Sequence, residues 1–165
     1  MSRQIHLHAV LALALAGCNQ NTAIGNDREA QLDPAPTPGP IMAADAALRN
    51  VELATIKPET MTDAEVQALG SGQHRCIFTL TELGYPTFVY EPGRRGIIKL
   101  NGKLIPVDAA GPDDYASGGL LVATRTVDDT GNAGLQVQEL IVVPPGARDE
   151  LGYRGYVSCA DGENA

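Results

Sequence analysis

From residue 76 onward, apolar and polar positions alternate along the chain. Cys76, Phe78 and Leu80 fall on one side of an extended backbone and Ile77, Thr79 and Thr81 on the other, the period-two pattern of a strand with one buried face. Six further runs of this kind follow at 87–90, 96–100, 103–107, 120–127, 135–143 and 153–159, separated by clusters of Gly, Pro, Asn and Asp. Asn101-Gly102 between two of them predicts a two-residue type I′ turn, because both central residues of that turn need positive φ. Residues 131–134 and Pro144-Pro145-Gly146 mark later loops. No strand alternates with a long helix, which argues against a parallel sheet. The predicted fold is mainly β, a small antiparallel barrel or meander of about seven strands.

Ahead of the strands the period becomes helical. Thr62-Asp63-Ala64-Glu65 is a capping box, with Val66 and Leu69 behind it, and predicts a short helix over 62–69 that ends at Gly70 and Gly72. Residues 41–56 are rich in helix formers with loosely spaced Leu48, Val51 and Ile56; they read either as a short helix or as an ordered arm against the domain. Pro34, Pro36, Pro38 and Pro40 favour extended polyproline geometry, the composition of a spacer. The predicted organisation is an export signal over 1–17, a flexible tether over 18–59 and one β domain over 60–165.

The first 17 residues carry Arg3 and then the apolar run 9–17, too short to span a bilayer and of the composition of a secretory signal. Leu15-Ala16-Gly17-Cys18 resembles the bacterial lipobox. That resemblance implies cleavage before Cys18 and diacylglycerol on its thiol, an anchor that holds durably only with two or more acyl chains. Asn19 stands where lipoproteins kept in the inner membrane carry Asp, so the likeness points to the outer membrane with the domain facing the periplasm.

Charge changes the picture less. The chain has 12 Lys and Arg against 20 Asp and Glu, a net −8, and loss of Arg3 with the signal leaves −9. Such acidity disfavours nucleic acid as a partner and admits a basic protein. All seven aromatic rings lie between residues 78 and 156, within the predicted domain.

With Cys18 assigned to lipid, Cys76 and Cys159 remain, in the first and last predicted strands and in a compartment where thiols oxidise; a disulfide between them is expected. A zinc site would need further ligands, and residues 18–165 hold a single histidine, His74. His74 and Cys76 lie two apart, the spacing of a conceivable nucleophile pair, but the disulfide is the better use of the thiol. Asp113-Asp114 and Asp128-Asp129 lack the alternating oxygen ligands of a calcium loop and read as solvated turn residues. No nucleophile elbow, phosphate loop or metalloprotease helix occurs. The expectation is a monomeric, non-catalytic module with no cofactor beyond the lipid.

The order of parts resembles the membrane-bound inhibitors of C-type lysozyme: lipobox, tether, a cysteine in the first strand, a hairpin around Gly102, a tyrosine before a Gly-Leu strand, and a final cysteine. In that family a Ser-Gly-x-x-Tyr loop and a later Lys-Gly enter the lysozyme cleft. Aligned on Tyr115 and Gly119-Leu120, the resemblance implies Tyr115 and Arg125 as partner-binding residues, with Gly111, Pro112 and Thr126 at the family's serine and glycine positions. The ending, Gly152 to Cys159, is similar to envelope lipoproteins of Gram-negative bacteria, a likeness that names no function. Three readings stand: a binding module, an inhibitor of a cationic hydrolase, and an accessory of outer-membrane assembly.

Overall fold

The computed structural model describes residues 37–70, 74–131 and 134–160. The expected export signal over 1–17, Cys18, Asn19, Pro34, Pro36 and Gly72 lie outside these residues. Eight strands follow two short helices: α1 (Ala44–Ala47), α2 (Asp63–Ala68), β1 (Cys76–Thr79), β2 (Phe88–Glu91), β3 (Arg95–Leu100), β4 (Lys103–Ala109), β5 (Asp114–Ser117), β6 (Leu120–Thr130), β7 (Gln136–Val143) and β8 (Leu151–Cys159). Each strand pairs antiparallel with the next, and β8 pairs with β1, which closes the barrel.

The strands alternate as their sequences require. Phe78, Phe88, Ile98, Leu100, Ile105, Tyr115, Leu120 and Leu140 point inward and are fully buried. Eight strands enclose just enough space for side chains to fill, and three rings fill much of it here: Phe88 stacks on Tyr90 at 4.9 Å between centroids, and Tyr115 meets their edges at 5.3 and 5.7 Å. Two inward glycines make room for the phenylalanines. A Cβ on Gly96 would run into the Phe88 ring, and one on Gly155 into Phe78.

The Asn101-Gly102 turn forms as predicted, with φ of 46° and 74°, and sets the β3–β4 register at Leu100 opposite Lys103. The capping box forms as well: Thr62 Oγ1 accepts from Glu65 N at 3.2 Å and Glu65 Oε2 accepts from Thr62 N at 2.6 Å. Val66 of α2 and Leu69, its C-cap, lie with Met61 over Ile77, Val89, Ile97 and Leu104 on the outer face of β1–β4.

Three expectations need correction. Asp114 belongs to β5 and is not a turn residue, which brings the expected count of about seven strands to eight among the described residues; Asp-Tyr-Ala-Ser has one large apolar side chain, too few for a visible period, and is held extended by β4 and β6 on either side. Asp128 and Asp129 likewise belong to β6, whose polar end runs past the core and pairs with β7 through a register shift between Thr126 and Thr130.

The third correction concerns the tether, whose expected span reached residue 59. Residues 39–58 belong to the barrel. The β3–β4 hairpin outruns both neighbours, and the chain fills the backbone groups this leaves open. On one flank Leu104 N donates to Pro40 O at 3.0 Å and Met42 N to Leu104 O at 2.9 Å; on the other Glu59 N donates to Lys99 O at 3.0 Å. Between these flanks Ala44, Ala47, Leu48 and Ile56 join the interior core. Asn101 pins the same segment, donating from Nδ2 to Thr55 O at 2.8 Å and accepting from Lys57 N at 3.1 Å.

Candidate functional site

The two residues singled out for partner contact project to opposite sides of the barrel wall. Tyr115 points inward from β5 with no exposed surface, its hydroxyl 3.5 Å from the Glu91 carbonyl oxygen. Burial pushes its pKa up to about 12, so it stays neutral. The expected partner contact at Tyr115 is therefore corrected to a core position: its ring fills volume that no other side chain of β5 supplies. Arg125 points outward from β6, half-exposed, paired with the Asp114 carboxylate and donating to Thr124 O at 2.9 Å.

Cys76 and Cys159 are bonded to each other, as expected, with their Cα atoms 4.0 Å apart. They face one another in the β1–β8 register, so the bond lies across the seam that closes the barrel. That leaves no free thiol beside His74 for nucleophilic chemistry. Among the described residues no group of three or more His, Cys, Asp or Glu is placed to hold a metal ion.

With the interior packed, the surface offers concavities instead. One, of about 420 Å³, lies outside the barrel where the six-residue α2 stops short of covering β2–β4. Ile41, Leu69, Val89, Ile97 and Pro106 form its apolar part, and Arg75 stands beside them. Ile97 and Pro106 are direct partners in the β3–β4 register. Arg75 Nη2 donates to Leu69 O at 3.1 Å, a carbonyl at the end of α2, and no carboxylate among the described residues pairs with it. Of the groove's acids, Glu91 lies 3.2 Å from Arg94 and 3.4 Å from Arg95, and Asp108 is opposite Arg95 in the β3–β4 register.

Sequence reasoning did not single out this groove, although a signal for it exists. Ile97-Ile98 and Leu104-Ile105-Pro106-Val107 carry apolar residues at consecutive positions, so β3 and β4 are greasy on both faces. A strand of a barrel with one wet face alternates; one that does not has something to cover outside.

Residues 14–162 match the family model described as a domain of unknown function, DUF6692. The chain belongs to that family. The DUF6692 match takes in Cys18 together with Cys76 and Cys159, so all three cysteines fall within one family unit. No curated protein and no solved structure matches the chain. Among the described residues no helix is long and apolar enough to cross a membrane.

Proposed function

We propose that this DUF6692 protein is an envelope lipoprotein, held to a membrane by diacylglycerol on Cys18, that works as a non-catalytic binding module in the periplasm. The outer membrane is the address favoured by Asn19. The observation that carries the binding role is the division of the barrel: its interior is filled by its own side chains, while its outer face keeps an apolar groove with one arginine, Arg75, that pairs with no carboxylate among the described residues. Pockets that take ligands have this make-up, mostly apolar lining with a few placed polar groups. The Cys76–Cys159 disulfide supports an oxidising compartment. The inhibitor reading loses support, since Tyr115, the residue on which its likeness was aligned, is buried.

Anchor and groove are tested separately in cells. Mass spectrometry of the wild-type protein should find residues 1–17 absent and acyl mass on Cys18, and Cys18→Ala should move the protein from the membrane to the soluble fraction. A photocrosslinking residue at Ile97 should give a discrete adduct that the same residue at exposed Asp149 does not. Cys18→Ala remaining in the membrane overturns the anchor. Failure to crosslink at 97, or identical adducts at both positions, overturns the binding role, and an adduct with an outer-membrane protein would place the module in envelope assembly.

A further inference from the structure

We propose that the groove binds a free long-chain carboxylate, with its hydrocarbon chain along Leu69, Ile97 and Pro106 and its head group on Arg75. The inference rests on the reading of the groove as the binding surface and names the chemistry of what it takes.

The groove floor decides against an extended peptide. Ile97 lies in register between Val89 of β2 and Pro106 of β4. In a sheet the backbone hydrogen bonds run sideways between strands, and only side chains stand on the face. A peptide laid on this floor would bring one N–H and one C=O per residue against Val, Ile and Pro side chains, and each group left without a partner costs about 1–3 kcal/mol. A hydrocarbon chain brings none. It also covers what α2 leaves bare, since Ile41 is exposed and Ile97 is half-covered.

The head group follows from the charges. Glu91 pairs with Arg94 and Arg95, and Asp108 is opposite Arg95 in register, so three arginines (Arg75, Arg94 and Arg95) stand against two acids around the groove. Among the described residues no acid pairs with Arg75, and its bond to Leu69 O engages one of the five N–H donors of a guanidinium. Those left over form the planar fork that takes a carboxylate through two parallel hydrogen bonds. In a chain of net −8, the surplus cation at the edge of an apolar groove selects an anionic amphiphile over a cationic one. The volume of about 420 Å³ lies within the range of small-ligand sites.

The test uses residues 18–165 with Cys18→Ser, prepared without detergent, and three probes: laurate, dodecyltrimethylammonium and acetate. Calorimetry should show saturable binding of laurate and none of acetate, with amide shifts confined to Leu69, Arg75, Ile97 and their neighbours. The ammonium probe should bind at least about tenfold more weakly, the size of one charge-assisted hydrogen bond. Arg75→Gln, which can still donate to Leu69 O, should remove that preference while circular dichroism stays unchanged, and Ile97→Asp should abolish laurate binding. Equal binding of the two amphiphiles, laurate shifts elsewhere on the barrel, or an unaffected Arg75→Gln variant overturns the proposal. If laurate does not bind while the Ile97 adduct still forms in cells, the ligand class is wrong and the groove reading stands; if both fail, both fall.

Discussion

Lys99 of β3 and Glu65 of α2 form an ion pair buried on the outside of the barrel, Nζ 2.8 Å from Oε2, with side-chain exposures of 11% and 2%. The same carboxylate accepts from Thr62 N at 2.6 Å and Gly39 N at 2.8 Å. One side chain therefore joins the helix cap, the N-terminal segment and the barrel wall. A buried charge survives only with such a full set of partners.

Acid should loosen this joint. Burial pushes the Glu65 pKa up, but the bond from Lys99 and the N–H groups of Thr62 and Gly39 outweigh it and hold it at about 2, against an ordinary 4.5. A folded-state pKa below the unfolded one adds stability that is complete above about pH 4.5 and is lost as pH falls towards 2. At 1.36 kcal/mol per unit the loss is on the order of 3 kcal/mol. Urea unfolding at pH 6 and pH 3 should show about 2 kcal/mol of it, since pH 3 still lies above the folded-state value. In Glu65→Gln the stability at pH 6 should be lower and the fall between the two pH values smaller.

Cleaving the seam should cost more than losing an ordinary contact. The disulfide joins residues 83 apart in sequence, and restricting so long a loop in the unfolded chain is worth about 4.6 kcal/mol in the chain-entropy model, with 2–4 kcal/mol more typical of measurement. Dithiothreitol, or Cys76→Ala with Cys159→Ala, should lower the urea midpoint accordingly. An unchanged midpoint would mean that the β1–β8 ladder closes the barrel without help.

Tyr115 should behave as a core residue. Its hydroxyl makes one long bond, at 3.5 Å, so Tyr115→Phe should change stability by less than about 1 kcal/mol. Tyr115→Ala leaves a cavity among Phe88 and Tyr90 and should cost about 3–5 kcal/mol. If Tyr115→Phe weakened capture of a partner without touching stability, the residue would be acting at a surface.

Gly39 should be intolerant of a side chain. A Cβ there would stand 2.6 Å from Gly102 O and 2.8 Å from Glu65 Oε1. Gly39→Ala should lift the segment from the β4 flank, and hydrogen exchange should quicken at Leu104 N and Met42 N, which bond across that flank. Exchange at Ile98, inside the barrel ladder, should not change.

What was legible in the sequence was set by few residues or few choices. The Asn101-Gly102 turn and the Thr62–Glu65 capping box are contained in two to four neighbouring positions, and their geometry follows from local sterics and reach. The disulfide was legible because assigning Cys18 to lipid leaves two cysteines and one pairing. β5 was not, since Asp114–Ser117 is extended through its neighbours and not through its own pattern. The residues outside the β domain boundary failed for the same reason: Ala44, Ala47 and Leu48 carry a weak helical signal, and their burial depends on a hairpin more than 50 residues later.

Taken alone, the sequence determined an all-antiparallel domain, its hairpin turn, its helix cap and its one possible cysteine pairing within the domain, because alternation, steric demands at φ and counting are properties of the chain itself. Only the tertiary structure decided that the sheet closes with eight strands, that Tyr115 faces inward, that residues 39–58 complete the wall and that Arg75 is left beside an apolar groove. Each of those depends on which distant segments come to lie side by side, and burial, which assigns a tyrosine to a core or an arginine to a ligand, is a property of that arrangement and not of any stretch of sequence.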